Sequence, residues 1–326
     1  MNLSDRCRRV LGGKHRCAWH LELSRWSRIH QDHVMNLYGA VELGGTKTLV
    51  TTGNGDGELG ETVRLETGDE PGELMEEVVA LLAPHDLDAV GIASFGPLEL
   101  RARHPDFGSI LATPKPGWTG FNLVAAIGDR LELPVAVETD VNGAALAEGM
   151  WGESVGLDHH AYITVGTGVG AGIVVNGTIL RGLAHPEFGH IAIARHPQDD
   201  FVGSCPYHGS CLEGMAAGPS LEARFGRRAS KLGPVETEEA VAFSAFYLAQ
   251  AVRALVYTVS PQRVVIGGGV SRLPGFHVAV RGLLTDQLAG YGVLEEHSLE
   301  GFISPPGLGD RSGLMGGVAL AARLSG

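Results

Sequence analysis

Two stretches of this chain share one pattern, and that pattern restricts the fold more than any other feature. "YGAVELGGTKTLVTTGNGDGEL" (38–59) and "AYITVGTGVGAGIVVNGTIL" (161–180) each pass from a β-like run into a Gly/Thr-rich tight turn, then a second β-like run and a Gly-containing turn. The copies begin about 120 residues apart in a chain of 326, which leaves room for two related domains, each opening on an antiparallel hairpin. Two such loops facing one cleft suit a nucleotide held by backbone N–H groups between the domains.

Periodicity predicts strands at 37–43, 48–53, 61–67, 88–94 and 135–139, with helices near 71–83, 122–131 and 142–151. Strands near 160–166 and 171–176 follow. Helices near 218–225, 237–258, 274–289 and 313–324 surround a strand at 263–269. The mixture implies an α/β protein with partly antiparallel sheets. The apolar run at 240–260 is interrupted by Gln250 and Arg253 and preceded by Glu238 and Glu239, so it reads as a buried helix and not as a membrane span.

A formal net charge of −12 argues against nucleic acid or an anionic membrane surface as the main partner, but not against a phosphorylated small molecule, which local backbone sites can hold. Four cysteines in the whole chain make no disulfide framework, so a reducing cytoplasm is the expected compartment. The first 34 residues stand apart, with seven Lys/Arg against three acids and two of the four cysteines. They lack the apolar stretch of a signal peptide. They are expected to be an extension upstream of a start at Met35.

"GGTK" (Gly44, Gly45, Thr46, Lys47) lacks the spacing of a P-loop, and no helix follows it. It reads either as an ordinary hairpin turn or as a turn whose N–H groups, hydroxyl and ammonium face a phosphate. "GTGVGAG" (166–172) likewise matches no dinucleotide fingerprint, because a strand follows it. Asp140 sits where an apolar strand meets a helix. That position suits an N-cap, and it also suits a carboxylate taking a proton from an attacking hydroxyl at a strand end. The polar, Gly/Pro-rich segment 96–123 is long for a connector and reads as a substrate-facing loop. "VVIGGG" (264–269) is a buried strand ending in glycines on which a flat ring or a phosphate could lie.

Cys205-Pro-Tyr-His208-Gly-Ser-Cys211 supplies three zinc-type ligands in seven residues, and His185, His190 and His196 compete for a fourth place. Two Cys and two His make a closed tetrahedral set, the kind that structural sites use.

The motifs "VELGGTK", "GIASFGPLEL", "TPKPGW", "TDVNGAALAE", "GTGVGAG", "HPEFGH", "CPYHGSCLEG" and "VVIGGG" together resemble the ROK family of sugar kinases, in its bacterial fructokinase branch, over residues 36–326. The resemblance implies a two-domain, actin-like ATPase (ribonuclease H-like) fold. Its N-terminal domain would span 36–139 plus the helix 313–326, and its C-terminal domain 140–312. ATP with Mg²⁺ and a sugar would meet in the interdomain cleft. The first phosphate loop would be Gly44–Lys47 and the second Gly166, Thr167, Gly168 and Gly170. Gly267, Gly268 and Gly269 would face adenosine, with Pro219 beside them. Asp140 would be the general base and would contact the sugar together with Glu187, His190 and Glu213. A structural zinc would be held by His190, Cys205, His208 and Cys211.

Three features resemble the fructokinase branch in particular: Glu42 in place of the more common Asp, Thr139 in place of Asn before the base, and the Cys-x₂-His-x₂-Cys form of the metal motif. The implied reaction is ATP-dependent phosphorylation of fructose at C6, with glucose, mannose or an N-acetylhexosamine as alternative acceptors. A sugar-sensing regulator of the same family is disfavoured, because such proteins carry a helix-turn-helix domain that about 35 preceding residues cannot supply. A cytoplasmic homodimer is expected by the same resemblance.

Overall fold

The computed structural model describes residues 36–324; the expected N-terminal extension, 1–35, lies outside the described residues. Strand β1 (Leu37–Leu43) pairs antiparallel with β2 (Lys47–Asn54), which pairs antiparallel with β3 (Val63–Glu66). On its other side β1 runs parallel to β4 (Ala89–Ser94), and β4 runs parallel to β5 (Val135–Thr139). The second sheet is built from β6 (His160–Val165), β7 (Val169–Val175), β8 (Thr178–Ile179), β9 (Arg263–Gly267) and β10 (Ile303–Ser304). The orders are β3-β2-β1-β4-β5 and β8-β7-β6-β9-β10, with the same sense of pairing at every step. The hairpin repeat is therefore one part of a five-strand duplication. Strands β8 and β10 are two residues long, too short to show alternation in sequence.

Helices α1 (Pro71–Leu82) and α2 (Leu123–Leu131) bury Leu74, Met75, Val78, Leu123 and Ile127 in the core of the first sheet. The segment at 96–123 is not a free loop, since Leu98, Ile110 and Trp118 are buried in the same core and the Trp118 indole donates to Gly68 O at 3.1 Å. α3 (Asp140–Trp151) leaves β5 directly. α4 (Leu212–Ala216), α5 (Gly218–Phe225), α6 (Pro234–Thr258) and α7 (Phe276–Leu288) belong to the core of the second sheet. α6 is long and apolar enough to cross a membrane by length and composition, yet Tyr247, Leu248, Val252 and Leu255 are buried in that core. Its start at Pro234, ahead of the apolar periodicity, is marked by Glu236 accepting the Gly233 amide at 2.8 Å.

α8 (Ser312–Ala322) packs on β1 and β4 and against α3, which itself touches both sheets. Small residues permit this crossing. A Cβ on Gly91 of β4 would lie 1.9 Å from Gly317 O, and one on Gly316 would lie 2.5 Å from the Gly143 backbone. Gly91→Ala is expected to cost at least about 1–3 kcal/mol, because backbone on the facing helix has nowhere to go; a thermal melt that matches wild type would contradict this packing.

Candidate active site and metal centre

The junction of β5 and α3 places the first carboxylate. The Thr139 hydroxyl accepts the Asn142 amide at 3.3 Å and is the helix cap. This corrects the reading of Asp140 as the cap. Asp140 instead sits in the first helical turn, with Oδ1 accepting the Val141 amide at 2.8 Å. It faces a cavity of about 720 Å³, within the ~300–1,000 Å³ common for small-ligand sites.

Lys47 of the first hairpin, Thr167 of the second, Asp140, Gly267 and Gly268 line this cavity, and so does Glu42 from β1. Gly268 has φ +90°, and a Cβ there would come within 2.5 Å of the Val165 backbone, so the wall requires glycine. Gly44, Gly45, Thr46, Gly166, Gly168, Gly170 and Gly269 lie in or beside the same turns without lining the cavity, and Pro219 is exposed in the first turn of α5. Each hairpin turn is closed by backbone. The Gly44 amide donates to Lys47 O at 3.0 Å and the Gly166 amide to Gly168 O at 2.9 Å, while the Gly218 amide at the start of α5 donates to Gly166 O at 2.7 Å.

Burial pushes the Asp140 carboxyl up to about 6, and the charge of Glu187 adds to this. The Val141 and Asp140 amides and His185 oppose the shift without reversing it, because enclosing walls outweigh the residue's residual surface toward the cleft. Glu42 is also raised, first by burial and further by Asp140, against the pull of Lys47 and the Leu314 amide. Its Oε2 is buried without a hydrogen-bond partner.

The cysteine-rich loop closes on a second centre. Ligand atoms of His190, Cys205, His208 and Cys211 all lie within 4.8 Å of one another. His190 Nδ1 is 3.7 Å from Cys205 Sγ and 3.6 Å from Cys211 Sγ, and His208 Nδ1 is 3.8 Å from Cys205 Sγ. Bond lengths of roughly 2.3 Å to sulfur and 2.0–2.1 Å to nitrogen put tetrahedral S···N pairs at about 3.6 Å, so this donor set fits a zinc-type ion. Burial is the main cause pushing the Cys211 thiol up, and a bound divalent cation would reverse that. Of the competing histidines, His196 packs its ring against Phe243 and Phe246, and His185 turns toward Leu98. Glu213 follows Cys211 into α4 and accepts the Val169 amide of the second hairpin at 3.1 Å, which joins the two centres.

Sequence reading missed the wall formed by Pro305, Pro306, Gly309, Asp310, Ser312 and Gly313. The run "SPPGLGDRSG" was the available signal. It also missed Glu148, a fully buried carboxylate that accepts from Gly307 N, Leu308 N, Ser312 Oγ and Glu153 N at 2.7–3.2 Å and so anchors that wall to α3. No local pattern marks Glu148, because its donors are on average far away in the chain.

The ROK family profile matches residues 38–324. The chain belongs to the ROK family. It is 41% identical over 292 residues to a fructokinase of Zymomonas mobilis, covering 87% of this chain and 96% of that protein. It is 38% identical to a fructokinase of Pediococcus pentosaceus, covering 87% and 97%. Among solved structures it resembles a ROK hexokinase from Thermus thermophilus, with TM-score 0.72 and 28% identity over 89% of this chain and 99% of that one. It also resembles a ROK glucokinase from Streptomyces griseus in complex with glucose and AMPPNP, with TM-score 0.71 and 25% identity over 88% and 100%. The actin-like architecture expected from sequence is thus the fold of this ROK chain.

Loading the metal-stripped protein with Co²⁺ should produce thiolate-to-metal charge-transfer absorption that Cys205→Ser weakens or abolishes. An unchanged spectrum in the variant would remove Cys205 from the centre.

Proposed function

We propose that this protein transfers the γ-phosphoryl group of ATP to the C6 hydroxyl of D-fructose. The observation that carries this reading is the Asp140 carboxyl, raised to about 6 at the start of α3 and facing a cavity between two glycine hairpins. A base with a pKa near neutrality is mostly ionised at pH 7 yet strong enough to accept a proton from a hydroxyl that is becoming an alkoxide. Identity of 37–41% to several fructokinases over most of the chain supports fructose as the acceptor.

In this reading the nucleotide lies between Lys47 and Thr167 at its phosphate end and Gly267, Gly268 and Gly269 at its adenosine end. Gly44, Gly45, Thr46, Gly166, Gly168 and Gly170 shape the two turns, and Pro219 flanks the second. Glu187, His190 and Glu213 hold the sugar. The fructose O6 proton passes to Asp140, the O6–P bond forms, and the bond from the γ-phosphorus to the ADP oxygen breaks. Mg²⁺, when bound with ATP, offsets the charge developing on the transferred group. The unpartnered Glu42 oxygen is a hard donor that suits such a cation.

Zinc at His190, Cys205, His208 and Cys211 has a structural role in this account. His190 presents Nδ1 to the two sulfurs, which leaves Nε2 for the sugar. The lobes divide near Thr139 and Asp140, with α8 returning to the first sheet.

An ADP-release assay across fructose, glucose, mannose and N-acetylhexosamines should give the highest kcat/KM with fructose. A higher value with another hexose would reassign the acceptor, and no turnover with any hexose would end the kinase reading. Asp140→Asn should lower kcat by about 10²–10⁴-fold, the usual worth of a general base, with fructose binding retained. Since the carboxylate is the active form, kcat/KM should be level above about pH 7, reach half its plateau near pH 6 and fall about tenfold per pH unit well below that. A profile that stays flat to pH 5 would exclude Asp140 as the titrating base.

A further inference from the structure

His185 competed in sequence for the metal, and the fold uses it elsewhere. Its side chain is only 6% exposed. The Leu98 amide donates to His185 Nε2 at 3.1 Å, and His185 Nδ1 lies 3.4 Å from Glu187 Oε1. An N–H pointing at Nε2 requires a lone pair there, so the proton of the neutral ring sits on Nδ1, the nitrogen at ion-pair distance from the Glu187 carboxylate.

Leu98 lies just beyond β4, whereas His185 and Glu187 lie on the loop that follows β8. The imidazole therefore joins an extension of the first sheet to an extension of the second. A second tie runs parallel to it. Arg181 pairs with buried Glu138 of β5, which accepts the Thr139 amide at 3.1 Å and the Asn142 side-chain amide at 2.7 Å. The loop carrying Glu187 is thus fastened at both ends to the strand ends around Asp140. Glu187 itself is 57% exposed at its side chain, and the His185 ring is the polar side chain that its carboxylate approaches.

We propose that His185 is a positioning residue for the acceptor site: its Leu98-anchored imidazole aims the Glu187 carboxylate at the sugar hydroxyls. This rests on the reading that Glu187 contacts the sugar. Neither nitrogen is left free for the substrate, so His185 acts through Glu187 and not on the reacting atoms. The effect belongs to the sugar and not to the nucleotide, because His185 does not line the 720 Å³ cavity.

Two conservative variants separate the two nitrogens. In His185→Asn the side-chain NH₂ takes the place of Nδ1–H and keeps a donor for Glu187. In His185→Gln the side-chain oxygen reaches the place of Nε2 and keeps the acceptor for Leu98, but the donor to Glu187 is lost. Steady-state kinetics on the full chain with Mg-ATP and fructose should show KM for fructose raised about ten- to a hundredfold in His185→Gln, as for loss of a hydrogen bond to a charged group. KM for ATP should stay within about twofold, and His185→Asn, which keeps the donor to Glu187 but loses the Leu98 anchor, should raise KM for fructose less than His185→Gln does. The double variant His185→Gln/Glu187→Gln should be no worse than Glu187→Gln alone, since the two residues act as one unit.

Parallel rises in both KM values, equal damage in His185→Asn and His185→Gln, or additive losses in the double variant would each overturn the positioning role. If Glu187→Gln raises KM for fructose and His185→Gln does not, Glu187 remains a sugar contact and the proposal alone falls. If Glu187→Gln leaves KM for fructose unchanged, the sugar-site reading fails and the proposal fails with it.

Discussion

The close crossing of α3 and α8 is the constraint on which the rest of the molecule depends. Both helices lie where the two sheets approach each other, and glycine faces glycine or main chain at Gly91, Gly143, Gly316 and Gly317. Any side chain there would push the helices apart. Because they meet closely, the start of α3 brings Asp140 and the start of α8 brings Ser312 and Gly313 to one cavity. Glu148, about two helical turns beyond Asp140 on α3, then fixes the turn before α8 through the Gly307 and Leu308 amides and the Ser312 hydroxyl.

The cavity holds more acid than a phosphate site would at first suggest. Glu42 and Asp140 both line it, and Glu187 is close enough to raise Asp140. Lys47 and Arg272 are cations on its wall, and the Lys47 charge pulls Glu42 back toward ionisation. This local arrangement explains why a net charge of −12 says little about affinity for a polyanion. What counts is the field within a few ångströms of a ligand, which the net charge of the whole chain does not describe.

The metal loop stands one step from the chemistry. Its four donor residues bring their ligand atoms within 4.8 Å of one another, a set that fits a zinc-type ion. The chain leaving Cys211 enters α4, where Glu213 holds the Val169 amide of the second hairpin. An ion bound there would fix the loop that leads through this helix to the second hairpin. His190 turns Nδ1 toward both sulfurs.

Much of this protein was legible in its sequence wherever the signal was local. Alternation marked the strands of both hairpins, the ligand spacing marked Cys205, His208 and Cys211, and the strand–helix junction marked Asp140. Sequence by itself determined the duplicated hairpins, the presence of a Cys/His centre and the family. Tertiary structure decided that Thr139 and not Asp140 caps α3, that 96–123 is partly core, and that His190 and not His185 or His196 clusters with Cys205, His208 and Cys211. It also decided the contacts of Glu148 and His185. These depend on partners 159 and 87 residues away in the chain, at Gly307 and Leu98, and contacts over such separations leave no periodic trace because only packing brings the groups together.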